Sequence, residues 1–102
     1  MDFLKQYNIS DDDINIIMKN NYENIINVII YNKDNVCSII DYLISIGIDI
    51  DTLSQMLSDR LDIFVKSVDD VKAAFEKYNV ANMVTIINDD IANLKFLNFK
   101  GD

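Results

Sequence analysis

Four acidic clusters have the most direct claim to chemistry: Asp11-Asp12-Asp13, Asp49 with Asp51, Asp69-Asp70 and Asp89-Asp90. Neighbouring carboxylates are the hard oxygen donors that Ca²⁺ and Mg²⁺ take. A calcium loop also needs ligands at several alternate positions, a turn glycine and a distal bidentate Glu. Asp49 and Asp51 have no third ligand in step, and the only glutamates, Glu23 and Glu76, are remote from them in sequence. Capping accounts for the clusters better, because carboxylates at a helix start accept from free amides and complement its dipole. No metal ligand and no cofactor-binding residue is expected.

Nucleophilic and acid–base chemistry find equally little to work with. Cys37 is the only thiol, and it lies in the most apolar stretch, where burial raises a thiol pKa. There is no His to serve as its base, which also removes imidazole ligands and His-based triads. Cys37 reads as a small buried hydrophobe. Asp41, between Ile40 and Tyr42, is the one acid in apolar surroundings that would raise its pKa. Positions 38, 41 and 45 share a helical face, however, so Asp41 reads as part of a solvated strip with Ser38 and Ser45. No phosphate loop or nucleophile elbow is present, and no catalytic residue is assigned.

The chain has 102 residues, of which half are hydrophobic and a quarter charged, a globular composition. Nine Lys and Arg against seventeen Asp and Glu give a net charge of −8. That sign opposes non-specific binding to nucleic acid and to anionic membranes. The basic residues are scattered, and only Arg60 is of the type best suited to reading bases. The first residues show no basic region followed by an apolar core, so no signal peptide is expected. Residues 36–50, the richest apolar stretch, are too few to span a bilayer.

The elements that must position these residues read as helices. There is no Pro, and only Gly47 and Gly101 supply glycine turns, which argues against a sandwich or barrel. Ser10 caps a helix whose apolar positions are Ile14, Ile17 and Met18. Residues 22–31 read as a strand by their β-branched run and as a helix by the Ile25/Ile29 and Ile26/Ile30 stripe; helix is preferred. Asp34 or Asn35 is expected to cap a central helix ending at Ile46, with Gly47 just past it. Asp49 or Asp51 caps the next, bearing Leu53, Met56, Leu57, Leu61 and Phe64. Ser67 opens a helix through Tyr78 that Asn79 stops in a left-handed conformation. Short helices at 83–88 and about 90–96 finish the fold.

Three segments repeat one form: Leu4-Tyr7-Asn8-Ile9, Leu43-Ile46-Gly47-Ile48 and Phe75-Tyr78-Asn79-Val80, offset by 39 and then 32 residues. Ile14, Ile17 and Met18 align likewise with Leu53, Met56 and Leu57, and with Met83, Ile86 and Ile87. Helical hairpins stacked on one another are the physical reading. The stretch Leu43-Ile44-Ser45-Ile46-Gly47-Ile48, followed by Leu53, Met56-Leu57, Ile63-Phe64, Ser67 and Val71, resembles the helical repeat of the mitochondrial transcription termination factors (mTERF). The resemblance is best over residues 42–80. The family's proline position falls on Leu61 in this unit and on Tyr22 in the first. The resemblance implies a helical-repeat architecture; DNA binding is not carried over to so acidic a chain.

The expectation is an all-α fold, a short right-handed stack of about two and a half mTERF-like hairpins. Residues 1–97 are expected to form one domain, and residues 98–102 a flexible tail. The expected role is that of a cytoplasmic, non-enzymatic protein–protein interaction module without cofactor. Its partner would present a basic surface, with self-association as a variant and no direct role for nucleic acid or membrane. The candidate surface comprises Asp11, Asp12, Asp13, Asp69 and Asp70, the stripe Tyr22, Ile29 and Tyr31, and the terminal aromatics Phe96 and Phe99. Two alternatives stand beside this: an acidic inhibitor or regulator whose carboxylates stand in for phosphates, and a degenerate nucleic-acid-binding repeat.

Overall fold

Capping side chains set the helix starts in the computed structural model, which describes residues 1–99. Ser10 Oγ accepts from the Asp13 amide at 3.1 Å and opens α1 (Asp11–Asn20). Asp49 Oδ1 accepts from the Thr52 amide at 2.8 Å and opens α4 (Ile50–Asp59). Ser67 Oγ accepts from the Asp70 amide at 3.1 Å at the head of α5 (Val68–Glu76). Each such contact satisfies an amide that the helix itself cannot.

Residues 22–31 resolve as helix: α2 (Glu23–Tyr31) buries Ile26 and Ile29 on one side. Burial of that side outweighs the strand propensity of its β-branched residues. After Asn32 the chain enters α3 (Lys33–Ser45), earlier than a cap at Asp34 or Asn35 would allow. Neither residue caps it. The Asn32 side-chain amide instead donates to the Val28 carbonyl at 2.9 Å, covering the end of α2. That of Asn35 donates to the Lys66 carbonyl at 2.7 Å.

The end of α3 is a glycine stop. The Gly47 amide donates to Ile44 O and the Ile48 amide to Leu43 O, both at 3.0 Å, with Gly47 at φ 108. Asn8 makes the equivalent left-handed turn, φ 63, after the 3-10 helix η1 (Asp2–Tyr7). Asn79 does not. At φ −69 it is the N-cap of α6 (Val80–Asp89), its Oδ1 accepting from the Asn82 amide at 3.0 Å. The chain continues directly into a helix there, so the side chain serves the following amides instead of closing the preceding helix. With Asn79 in that role, α6 is longer than the expected 83–88, and α5 ends before Tyr78.

Two further 3-10 turns complete the order: η2 (Leu61–Val65) after α4 and η3 (Ile91–Phe96) after Asp90. Leu61 and Phe64 therefore belong to η2 and do not continue α4. Among the described residues the fold is all-helical, with no strand. The radius of gyration of 12.8 Å is that of a compact chain of this length.

One hydrophobic core runs through the molecule, and α3 is at its centre. Val36, Ile39, Ile40 and Leu43 are fully buried, and α3 packs against α2, α4, α5 and η2. The α1–α4 seam contributes Ile14, Ile17, Leu53, Met56 and Leu57. Met18, expected among the apolar positions of α1, is exposed. Asn88 ties the C-terminal end to the middle of the chain: its side-chain amide donates to Gly47 O at 2.9 Å, and its Oδ1 accepts from the Asp49 amide at 3.0 Å.

Candidate functional site: the acidic groove between α1 and α4

The helices α1 and α4 lie with their C-terminal ends together. The Asn20 side-chain amide donates to Ser58 Oγ at 2.6 Å, and that of Asn21 to Ile17 O at 2.8 Å and Ser58 O at 3.1 Å. Beneath them the seam is apolar. Above it, the outward residues of the two helices leave an open groove of about 450 Å³.

Asp13, Ile16 and Asn20 form the α1 wall, at the i, i+3, i+7 spacing of one helical face. Asp51, Ser54, Gln55, Ser58 and Asp59 form the α4 wall. Three carboxylates therefore share the groove, and among the described residues no Lys or Arg lines it. Ser54 Oγ is buried at the wall with no hydrogen-bond partner among the described residues. The groove thus offers acceptors in excess, the arrangement that suits an ammonium or guanidinium group brought from outside.

Of the surface expected from sequence, Asp13 alone lines this groove. Asp11 is engaged by the Lys5 ammonium at 3.0 Å, which raises the lysine pKa through that hydrogen bond and the attraction of Asp11 and Asp2. Asp12 is exposed on the same turn. Asp69 and Asp70 stand in the first turn of α5, which packs on α3 and α6. Tyr22, just before α2, and Tyr31, its last residue, are each 86% exposed, whereas Ile29 between them is fully buried and leaves the proposed stripe. Phe96 is half exposed under the Lys95 ammonium, 5.3 Å from its ring centre.

Phe99 is placed differently from the expected exposed aromatic. It is 5% exposed, in the core with Leu94 and Leu97, and the Lys66 ammonium lies 5.1 Å from its ring. Asn98 and Phe99 are thus the described part of the expected tail, and the Asn98 side-chain amide donates to Tyr78 Oη at 3.3 Å. Residues 100–102 of that tail lie outside the described residues.

Cys37 is half-buried, in polar contact: the Gln6 side-chain amide approaches its Sγ at 3.6 Å. The neighbouring Tyr7 hydroxyl is held well above its ordinary pKa, first by burial and then by hydrogen bonding to Cys37 and the nearby Asp41. Asp41, Ser38 and Ser45 are all exposed on the outer strip of α3. No group of three or more acids and thiols among the described residues is placed to hold a metal ion, and no helix there is long and apolar enough to cross a membrane.

Sequence reasoning missed Asn20, Asn21, Ser58 and Asn88, the residues that fix the groove and the turn behind it. Thirteen asparagines are a compositional signal, but composition does not say which of them reach across to another helix. Comparison with protein-family models, curated proteins and solved structures gives no match for the chain.

Proposed function

We propose that this protein is a non-enzymatic interaction module whose α1–α4 groove takes a lysine- or arginine-bearing segment of a protein partner. The observation that carries the reading is the convergence of Asp13, Asp51 and Asp59 in one groove whose lining, among the described residues, holds no Lys or Arg. A net charge of −8 steers a basic partner toward the molecule, and the groove gives the encounter a place to end.

The architecture that goes with this reading is a short stack of helical hairpins of the mTERF type. Supporting it, Ser10, Asp49 and Asn79 all act as N-caps, spaced by 39 and 30 residues. Apolar positions four residues after each cap, Ile14, Leu53 and Met83, are buried. Hairpin stacks commonly bind through surfaces that neighbouring units build jointly, as α1 and α4 build this groove.

Titration of a fluorescently labelled Lys-Ala repeat peptide tests the reading. Asp13→Asn, Asp51→Asn and Asp59→Asn together should weaken binding on the order of tenfold or more. Asp34→Asn, Asp69→Asn and Asp89→Asn change the net charge equally outside the groove and should weaken it much less. Equal losses in the two triple variants would reduce the interaction to diffuse charge and remove the groove from the account.

A further inference from the structure

The acidic charge of the chain is unevenly spread. Residues 19–34 carry Lys19 and Lys33 against Glu23 and Asp34 and are neutral, so the −8 resides entirely in the rest of the molecule. This neutral stretch contains α2, whose inner side packs on α3 and η2. Its outer side exposes Asn24, Asn27, Val28 and Tyr31. Val28 is 43% exposed, Ile30 is 41% exposed and Tyr22 is 86% exposed. Two copies repel each other least when they meet on this face.

A protrusion stands before one end of α2 and a recess lies past the other. Tyr22 projects just before the first residue of α2. Past its last residue, the bend into α3 encloses a hollow of about 450 Å³ lined by Ile30, Tyr31, Asn32, Lys33, Asp34 and Asn35. The nine residues of α2 separate them by about 14 Å at the α-helical rise of about 1.5 Å per residue.

We propose that two copies of this chain associate through α2, antiparallel about a two-fold axis at Val28. That symmetry sets position 22 opposite position 34 and position 23 opposite position 33. Each Tyr22 ring then enters the other copy's α2–α3 hollow, where Lys33 supplies a cation for its face. Each Glu23 meets a Lys33, and neither makes an ion pair within its own chain among the described residues. A two-fold contact must be self-complementary, and a knob and a recess at opposite ends of one helix satisfy that condition. The proposal does not depend on the α1–α4 groove, which uses other residues.

Sedimentation velocity of the full chain over a concentration series tests it. The mass should climb from 11.7 kDa toward twice that value. Tyr22→Ser, at a side chain the fold does not use, should weaken the association on the order of tenfold, as loss of an interface aromatic does. Oxidation in a Cys37→Ser background locates the axis independently: Val28→Cys should cross-link to itself much faster than Asn82→Cys, placed on the exposed side of α6. A mass fixed at 11.7 kDa at every concentration overturns the proposal. So does a dimer indifferent to Tyr22→Ser, or one in which Val28→Cys cross-links no faster than Asn82→Cys.

Discussion

Two grooves of nearly equal size lie on this molecule, and they differ in who supplies the positive charge. The hollow beside α3 and α5, about 440 Å³, is lined by Ser38, Asp41, Tyr42, Ser45, Val68 and Lys72. There Lys72 places its ammonium 5.6 Å from the centre of the Tyr42 ring, within the same hollow as Asp41. The α1–α4 groove gathers Asp13, Asp51 and Asp59, and no Lys or Arg among the described residues lines it. One groove holds a cation of its own beside its acid; the other presents its acids alone among the described residues. That contrast is why the second is the one proposed to bind a partner.

Beneath the two grooves the packing is alike, so the largest effects should not distinguish them. Phe75→Ala below the α3–α5 hollow and Leu53→Ala below the acidic groove both remove fully buried side chains. Each should cost about 2–5 kcal/mol in urea unfolding, the range for large-to-alanine changes in a core. A cost under about 1 kcal/mol at Leu53 alone would mean that the α1–α4 seam is loosely packed. Gly47 serves both sides, since it turns the chain from α3 into α4. A side chain there would be strained at φ 108, and its Cβ would meet Val84 Cγ1 at 3.3 Å. Gly47→Ala should therefore destabilise by about 1–2 kcal/mol.

Charge changes separate the grooves. Asp59→Lys places a cation in the groove with Asp13 and Asp51, at the C-terminal end of α4 where it also suits the helix dipole, and should stabilise the fold by a few tenths of a kcal/mol at low salt, an effect that salt erases. Asp41→Lys puts a second cation beside Lys72 and should have the opposite sign. The same sign for both would break the comparison.

The smallest effect is a pH dependence at Tyr42, on the α3–α5 side. Burial, and then the nearby negative charge of Glu76, raise the Tyr42 pKa above its ordinary value of 10.0. The folded chain therefore favours the neutral phenol. Its contribution is complete below about pH 10, where the unfolded chain also keeps the proton, and is lost as pH rises through the folded value. Unfolding free energies measured from pH 9 to 11 should fall more steeply for the native chain than for Tyr42→Phe.

Local signals were legible in the sequence, and long-range ones were not. Ser10, Asp49, Ser67 and Gly47 act within three or four residues of themselves, so a residue type in the right place sufficed to locate helix ends. Asn79 was ambiguous because asparagine serves both as N-cap and as left-handed stop, and only the path of the chain decides. Ile29 and Tyr31 are two positions apart, which on a helix sends them to different sides, one buried and one exposed. Phe99 joins the core through contacts that no local pattern announces.

The groove itself could not be read from sequence. Its walls are 38 residues apart at Asp13 and Asp51, and Asn20 meets Ser58 only once α1 and α4 are packed. What the sequence offered was the sign of the charge and the capping role of the acids. Which acids face one another depends on the packing of two helices that are not neighbours in the chain.

Backbone amide shifts recorded by NMR during titration with the Lys-Ala peptide test the central claim most directly. The account predicts shifts concentrated in residues 13–20 and 51–59, the two walls of the α1–α4 groove, with α5 and the α3 strip nearly silent. Shifts of equal size around Asp69, Asp70 and Asp89 would contradict it.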